Sequence, residues 1–318
     1  MSNIQQISVL VPLYNEAPVL QELFSRLQRL NEQMQANASF IFVDDGSTDN
    51  SYEILRGLTA GKQNYSVVFL SRNFGHAMAI TAGLAHVPAD TDAVFIMDAD
   101  LQDPPELLPS FLEKMSHGYD VVYGIRKNRK EGWFKKMAYK TYYRLLKRSA
   151  NIKMPLDAGD FCLISKRVVQ QLNAMPEESR YMRGLRSWVG FKQAGIEYER
   201  DERKGGTSKY SLRSLLKLAF NGFFNFSELP IRFIGRVGLI TVLVALVYLG
   251  VTLYKKLMYG TVPEGFTALI FAIVLFSGVQ LMSIGILGEY ILRIFFQVKQ
   301  RPLYIVQSKI INGQPVDE

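Results

Sequence analysis

Phe95-Ile-Met-Asp-Ala-Asp-Leu-Gln-Asp-Pro-Pro-Glu106 is an apolar run that stops abruptly at Asp98, Asp100 and Asp103. The residues from Ala93 to Met97 read as a buried strand, and Pro104-Pro105 forbids its continuation, so the carboxylates are presented where the strand ends. Open α/β sheets bind their ligands at such strand ends. Asp98 and Asp100, one residue apart, are able to hold a divalent cation, and a hard cation among oxygen ligands is a common grip on a diphosphate. An acidic turn or a helix cap is the plainer reading of Asp-Ala-Asp taken alone.

Ile7 to Leu13, Phe40 to Val43 and Val67 to Leu70 read as further strands, with helices near Ala17 to Gln35, Asn50 to Ala60 and His76 to Ala85 between them. That alternation predicts a parallel sheet of the βαβ type. A strand at Asp120 to Gly124 and an irregular segment through Asp160 to Ser165 complete the expected domain. The first strand ends in Val11-Pro12-Leu13-Tyr14-Asn15-Glu16, which offers an aromatic face and a carboxylate. The second ends in Val43-Asp44-Asp45-Gly46-Ser47-Thr48-Asp49, which offers two carboxylates and a glycine turn able to approach a ligand closely. Carboxylates accept from ribose hydroxyls or base N–H groups, so these ends suit a nucleoside, whereas a metal at the fourth strand suits phosphates. A turn with a helix N-cap is the plainer reading of Asp44 to Asp49.

With 318 residues the chain is long enough for one large soluble domain and something smaller. No charge interrupts Val237 to Tyr254 or Gly265 to Gly288, and a helix needs about 20 residues to cross a bilayer. Residues 231–254 and 265–288 are therefore expected to form a two-helix transmembrane hairpin, the first helix extended by Ile231, Phe233 and Ile234 while Arg232 and Arg236 reach toward the headgroups. A buried core helix is the alternative for the first. The short loop from Lys255 to Glu264 puts both flanks on one side. Arg293, Lys299, Arg301 and Lys309 in the 293–318 tail place that side in the cytoplasm, against the weaker pull of Lys255 and Lys256. No signal peptide is expected, because the apolar start at Ile7 to Leu13 is short and contains Pro12. The single cysteine, Cys162, makes no intrachain disulfide, and His76, His86 and His117 lack metal-ligand spacing, which argues against zinc chemistry.

The net charge of +8 is concentrated, since Arg126 to Arg148 holds ten Lys/Arg against Glu131. Trp133, Phe134, Met137, Tyr142, Leu145 and Leu146 interleave with these bases, which fits a helix at about 132–148 lying in the membrane interface rather than a nucleic-acid partner. Ser211 to Phe226, with Arg213 and Lys217 among dense apolar residues and Pro230 beyond, reads as a second interfacial helix over 211–230. Gly278, Gly285 and Gly288 permit helix packing in a bilayer and are compatible with a homo-oligomer.

Val11 to Glu16, Val43 to Asp49, Ser71-Arg-Asn-Phe-Gly75 and Asp98 to Asp103 together resemble the family 2 glycosyltransferases of GT-A fold. More narrowly, the chain is similar to polyprenyl-phosphate glycosyltransferases, the group containing dolichol-phosphate mannose synthase and bacterial bactoprenol glucosyltransferases. The likeness spans nearly the whole chain, because two C-terminal spans belong to the bactoprenol type. It implies an α/β domain over 1–210 with a GT-A, Rossmann-like, mixed but mainly parallel sheet, then interfacial helices and the hairpin. It implies Mg²⁺ or Mn²⁺ on Asp98, Asp100 and Gln102, and a nucleoside pocket lined by Pro12, Tyr14, Glu16, Asp44 and Asp45. Arg126, Lys140 and Arg144 fall where members bind the acceptor phosphate, for which a solvated basic face is the plainer reading. Asp157-Ala-Gly-Asp160-Phe-Cys-Leu-Ile-Ser165 matches the acidic segment facing the sugar, and Tyr181 to Gly190 matches another recurrent stretch. Arg203-Lys-Gly-Gly-Thr-Ser-Lys-Tyr210 resembles the loop that closes over the phosphates and brings Arg203 and Lys209 to them. Gly206-Thr207 stand where members often carry a glycine followed by glutamate or another small polar residue.

The implied activity is inverting transfer of a hexose from a nucleotide sugar, UDP-glucose first, to undecaprenyl or a similar polyprenyl phosphate at the cytoplasmic face of the plasma membrane. GDP-mannose and UDP-aminoarabinose derivatives are alternative donors. A lipid monophosphate is largely ionised at pH 7 and hardly needs a base. Asp157 is therefore better suited to orienting a sugar hydroxyl, or to favouring positive charge at the anomeric carbon, than to abstracting a proton. Two rivals stand beside this reading. A processive polysaccharide synthase usually carries Gln-x-x-Arg-Trp, approached here only by Arg183-Gly-Leu-Arg-Ser-Trp188. A non-catalytic lipid-binding scaffold would leave the carboxylate set idle.

Overall fold

The computed structural model describes residues 4–34, 37–127, 158–178, 180–199, 229–260 and 265–316. The expected helix at 132–148 and the 211–230 helix up to residue 228 lie outside the described residues, as do Lys140, Arg144, Asp157, Arg203 and Lys209.

Four parallel strands come first: β1 (Gln6–Leu13), β2 (Asn37–Asp44), β3 (Tyr65–Leu70) and β4 (Ala93–Ile96). Helices α1 (Ala17–Gln33), α2 (Ser51–Thr59) and α3 (His76–Ala85) connect them. A short 3₁₀ turn at Pro105–Leu107 then leads into α4 (Leu108–Ser116). β5 (Val121–Lys127), β6 (Ala158–Ser165), α5 (Lys166–Ala174), α6 (Met182–Trp188) and β7 (Gln193–Glu199) follow. Two long helices, α7 (Leu229–Tyr259) and α8 (Phe266–Lys299), precede a closing hairpin of β8 (Val306–Ile311) and β9 (Gln314–Val316).

Among the described residues, the nine strands share one sheet in the order β7-β5-β6-β4-β1-β2-β3-β8-β9. Strand order reverses between β1 and β4, which pair in parallel with Leu10 opposite Ile96. Open α/β sheets bind ligands in the crevice outside the carboxyl ends at such a reversal. Alternate residues of each strand face opposite layers. Val9, Val11, Phe40, Phe42 and Phe95 meet Leu23, Leu27, Leu55 and Phe111 on one face, while Leu10, Ile41, Val68 and Ile96 meet Ile80, Leu84, Val168 and Leu172 on the other.

The segment expected to be irregular, Asp160 to Ser165, is instead most of β6, antiparallel between β4 and β5. Phe161, Cys162, Leu163 and Ile164 are all buried, so the run carries no alternation to betray a strand: both its faces are inside. The residues after α8 also form structure that the basic tail did not announce, since β8 runs antiparallel along β3.

Helices α7 and α8 contain the stretches Phe233–Tyr259 and Leu275–Lys299, long and apolar enough to cross a membrane and not buried anywhere within the protein. The second helix continues past Gly288, where the uncharged run ends, to Lys299. At 1.5 Å per residue it is about 50 Å long, against about 30 Å for a bilayer's hydrocarbon core. Its far end is fastened to the α5–α6 connection, for the Gln297 amide donates to Pro176 O (2.7 Å) and accepts from Glu178 N–H (3.0 Å).

Phe95 lies at the heart of the domain, edge-on to Phe111 (5.4 Å between centroids) and Phe161 (5.1 Å). Phe95→Ala should therefore lower unfolding free energy by about 3–5 kcal/mol, the usual loss for an aromatic truncated in a packed core. Guanidinium unfolding of the detergent-solubilised protein measures it, and a loss under about 1 kcal/mol would contradict the packing described.

Candidate active site

The ends of β1 and β2 are stitched together before any ligand arrives. Asn15 adopts a left-handed backbone (φ 53°), a conformation asparagine tolerates better than most residues. Its N–H donates to Ser47 Oγ (2.8 Å), and its Oδ1 accepts from the Thr48 N–H (2.7 Å) and Asp49 N–H (3.3 Å). Pro12 is buried at the end of β1, and Tyr14 and Glu16 just beyond it are half-buried.

Asp44 and Asp45 are both buried. Burial pushes both carboxyls up, and hydrogen bonds from their surroundings oppose the shift. Asp44 Oδ1 accepts from Ser47 N–H (3.0 Å). Asp45 accepts from two successive backbone N–H groups, Phe74 on Oδ1 (2.7 Å) and Gly75 on Oδ2 (2.9 Å), and so ties the Ser71–Gly75 loop to β2. Gly46 (φ 68°) makes the approach of that loop possible, because a Cβ there would lie 2.4 Å from the carbonyl carbon of Arg72.

At the tip of β4, Asp98 and Asp100 are half-buried, and Asp100 Oδ1 accepts from the Gln102 N–H (3.1 Å). Leu101 is fully buried with φ 61°, a conformation that costs a branched residue about 1–3 kcal/mol and is characteristic of functional loops. Asp103 holds the loop from below: its Oδ1 accepts from Tyr198 OH (2.5 Å), and its Oδ2 lies 3.8 Å from Arg126 Nη2. Arg126 also donates from Nε to Tyr198 OH (3.3 Å). The structure thus places Arg126 beneath the β4 loop, paired with its last carboxylate.

Opposite Asp98 stands a charged group that sequence reasoning did not single out. His76, the first residue of α3, has Nε2 3.6 Å from Asp98 Oδ1 and 3.6 Å from Asp160 Oδ2. Arg183 from α6 forms a bidentate pair with Asp160 at 3.1 and 3.0 Å. Burial disfavours a charged imidazole, but the Asp160 hydrogen bond and the charges of Asp98 and Asp160 outweigh it and push His76 up to about 9. Burial likewise opposes ionisation of Asp160, yet Arg183 and His76 hold that carboxyl well below its usual range. The only clue to His76 in the sequence is its place directly after Ser71–Gly75. Its partners come from strands far along the chain.

Among the described residues no three His, Cys, Asp or Glu side chains cluster closely enough to form an all-protein metal cage. Asp98, Asp100 and Gln102, all half-buried just past β4, carry two carboxylates and an amide, hard oxygen donors by type. That fits Mg²⁺ or Mn²⁺, which keep water and substrate phosphate oxygens in much of their coordination sphere.

The sequence pattern of glycosyl transferase family 2 matches residues 8–172, from β1 through α5. The chain belongs to this family. Its mixed, mainly parallel sheet with the carboxylates at the strand ends is the GT-A arrangement. An uncharacterized glycosyltransferase of Bacillus subtilis is 43% identical over 309 residues, covering 97% of this chain and 95% of the relative. A prophage bactoprenol glucosyl transferase homolog of Escherichia coli is 34% identical over 95% of this chain and 98% of its own length. A bactoprenol glucosyl transferase of Shigella phage SfV is 34% identical over 96% and 99%. At 95–97% of this chain, these matches include residues of α7 and α8 of this family 2 glycosyltransferase.

Because the folded pKa of Asp160 lies below its unfolded value, the stability it contributes is present above the ordinary carboxylate pKa and is lost as pH falls. Arg183→Ala should lower unfolding free energy by about 1.5–3 kcal/mol at neutral pH, the range for hydrogen bonds to a charged group. The gap from wild type should begin to narrow as the variant's carboxyl, no longer held by Arg183, protonates, and should close only where wild type's more depressed carboxyl does, which unfolding curves in steps from pH 7 into the acid range will read.

Proposed function

We propose that this glycosyltransferase moves a hexose, glucose from UDP-glucose in the first instance, onto the phosphate of undecaprenyl or a similar polyprenyl lipid, with inversion, at the cytoplasmic face of the plasma membrane. One observation carries the reading: kinship with bactoprenol glucosyl transferases runs through the apolar helices as well as the sheet. An acceptor that lives in the bilayer calls for such helices.

Pro12, Tyr14, Glu16 and Asp44 line the end of the crevice suited to a nucleoside, and Asp45 acts there by fixing the Ser71–Gly75 loop. Bound at Asp98, Asp100 and Gln102, Mg²⁺ or Mn²⁺ would neutralise the donor diphosphate as it departs. Asp160, ionised and held by Arg183, faces the same crevice beside Asp98 and favours positive charge on the sugar. Asp157, near it in sequence, serves to orient a sugar hydroxyl. The acceptor is already an anion, so the chief task is to bring it to another anion. Lys140, Arg144, Arg203 and Lys209 supply the positive charge, and Arg126 steadies the loop that carries the metal ligands. Direct displacement turns an α-linked donor into a β-linked lipid phosphate.

The fold and the charges support this orientation. Since β8 rejoins the sheet after α8, a two-span hairpin returns the chain to the side it left. Arg293, Lys299 and Arg301 then favour the cytoplasm.

Membranes containing the protein, supplied with labelled UDP-glucose, undecaprenyl phosphate and Mg²⁺, should pass label into the organic phase, and EDTA should abolish it. Asp100→Ala should reduce transfer at least about 100-fold, on the scale of losing a principal electrostatic contact, while still inserting in the membrane. Turnover at the wild-type rate in that variant would remove the metal assignment, and label that enters lipid only from another sugar nucleotide would replace the donor.

A further inference from the structure

The segment from Arg301 to Val316 follows the second apolar helix and contains none of the residues assigned to donor, acceptor or metal. It nevertheless reaches the donor side of the crevice. β8 pairs antiparallel with β3, placing Ile310 opposite Val67 and Val306 opposite Leu70, with an irregularity between Phe69 and Leu70. One further bond extends the ladder beyond the strand, from the Ser71 N–H to the Ile305 carbonyl (3.0 Å). Ser71 opens the loop whose other end Asp45 grips through the N–H groups of Phe74 and Gly75. The loop therefore hangs between two fixed points, the Asp45 carboxylate just after β2 and a carbonyl just before β8. Between them Phe74 packs on the same buried apolar cluster as Tyr304 and Val306.

The hairpin's own seating is specific. Gly313 (φ 72°) fits where a Cβ would come within 2.4 Å of Lys62 N, its carbonyl accepts from the Gly61 N–H (3.0 Å), and its N–H donates to Tyr65 O (2.9 Å). Asn312 N–H donates to Ser66 Oγ (3.3 Å), and Ile310 is buried in the main core. Without β8, β3 would be an open sheet edge with the Ser71 loop hinged at one end only.

We infer that Tyr304, Ile305 and Val306 are positioning residues of the donor site, which hold the Ser71–Gly75 loop against Asp44–Gly46 so that nucleotide affinity depends on the docked C-terminal hairpin. The inference rests on the reading of that edge as the nucleotide-sugar pocket. It makes the end of the chain part of the binding machinery as well as the finish of an anchor. Gln297 fixes the base of α8 to the domain only a few residues earlier, so the apolar helix and the donor loop are joined by a short, bonded path.

Two full-length variants in liposomes test this. Ile310→Asp puts a charge into the core contact of β8 and should detach the hairpin, whereas Tyr304→Ala leaves the strand and removes a ring packed on the buried cluster that Phe74 also meets. Both should raise the KM for UDP-glucose about 5–20-fold, the scale of one hydrogen bond or a small packing contact, with the KM for undecaprenyl phosphate within about twofold of wild type. Without any substrate, hydrogen exchange at Ser71–Gly75 should accelerate in both. If Ile310→Asp fails to fold, Tyr304→Ala carries the same readouts. A wild-type donor KM in Tyr304→Ala, or unchanged exchange at Ser71–Gly75 when residues 306–311 exchange faster, overturns the inference. Should no nucleotide sugar be turned over by the wild type while the variants still loosen Ser71–Gly75, the proposed activity falls and the positioning role stands.

Discussion

Ionised carboxylates do not follow an apolar strand into a protein core, and the arrangement of this domain follows from that constraint. β4 enters the sheet as Ala93-Val-Phe-Ile96, every side chain buried, and Asp98 is the first charge it meets. Its parallel pairing with β1 sets the level at which Asp98 emerges, two residues past the Leu10–Ile96 pair, and β2 ends at Asp44, with Asp45 next, on the neighbouring side of β1. Taking an isolated carboxylate out of water costs several kcal/mol, so each one at this edge has been given protein donors or a cation. Asp44 and Asp45 receive backbone N–H groups, Asp103 receives Tyr198, and Asp160 receives Arg183 and His76. The result is a crevice whose electrostatics are largely set before substrate enters, which is how preorganised sites lower barriers.

The same constraint explains what could be read from the chain alone. Strands β1 to β4 and the helices between them were legible because each is a compact apolar run closed by carboxylates, glycine or proline, a local signal that holds whichever strands they pair with. β6 was not, because Phe161-Cys-Leu-Ile164 is buried on both faces and periodicity is silent about such a run. The β8–β9 hairpin was hidden for a different reason: its partner β3 lies more than 200 residues earlier, and pairing at that separation leaves no local trace.

The candidate site divides along similar lines. Acidic residues at strand ends announce themselves by type and spacing, so Asp44, Asp45, Asp98 and Asp100 could be named from the sequence. Residues that act by meeting something distant could not. Tyr198 reaches Asp103 across 95 positions, and His76 joins Asp98 to Asp160 from the start of a helix. Arg126 was legible as a base, but its place under the β4 loop depends on the β5–β7 pairing that brings Tyr198 alongside.

Cys162 carries the chain's only sulfhydryl, and it is enclosed in β6 beneath α3 and α5. A thiol so placed is shielded from maleimides and spin-label reagents while the domain stays folded. A cysteine introduced on the exposed surface would then be the sole reactive position, without prior removal of a native one. Probe distances between the sheet and the bilayer are accessible in an otherwise unaltered chain.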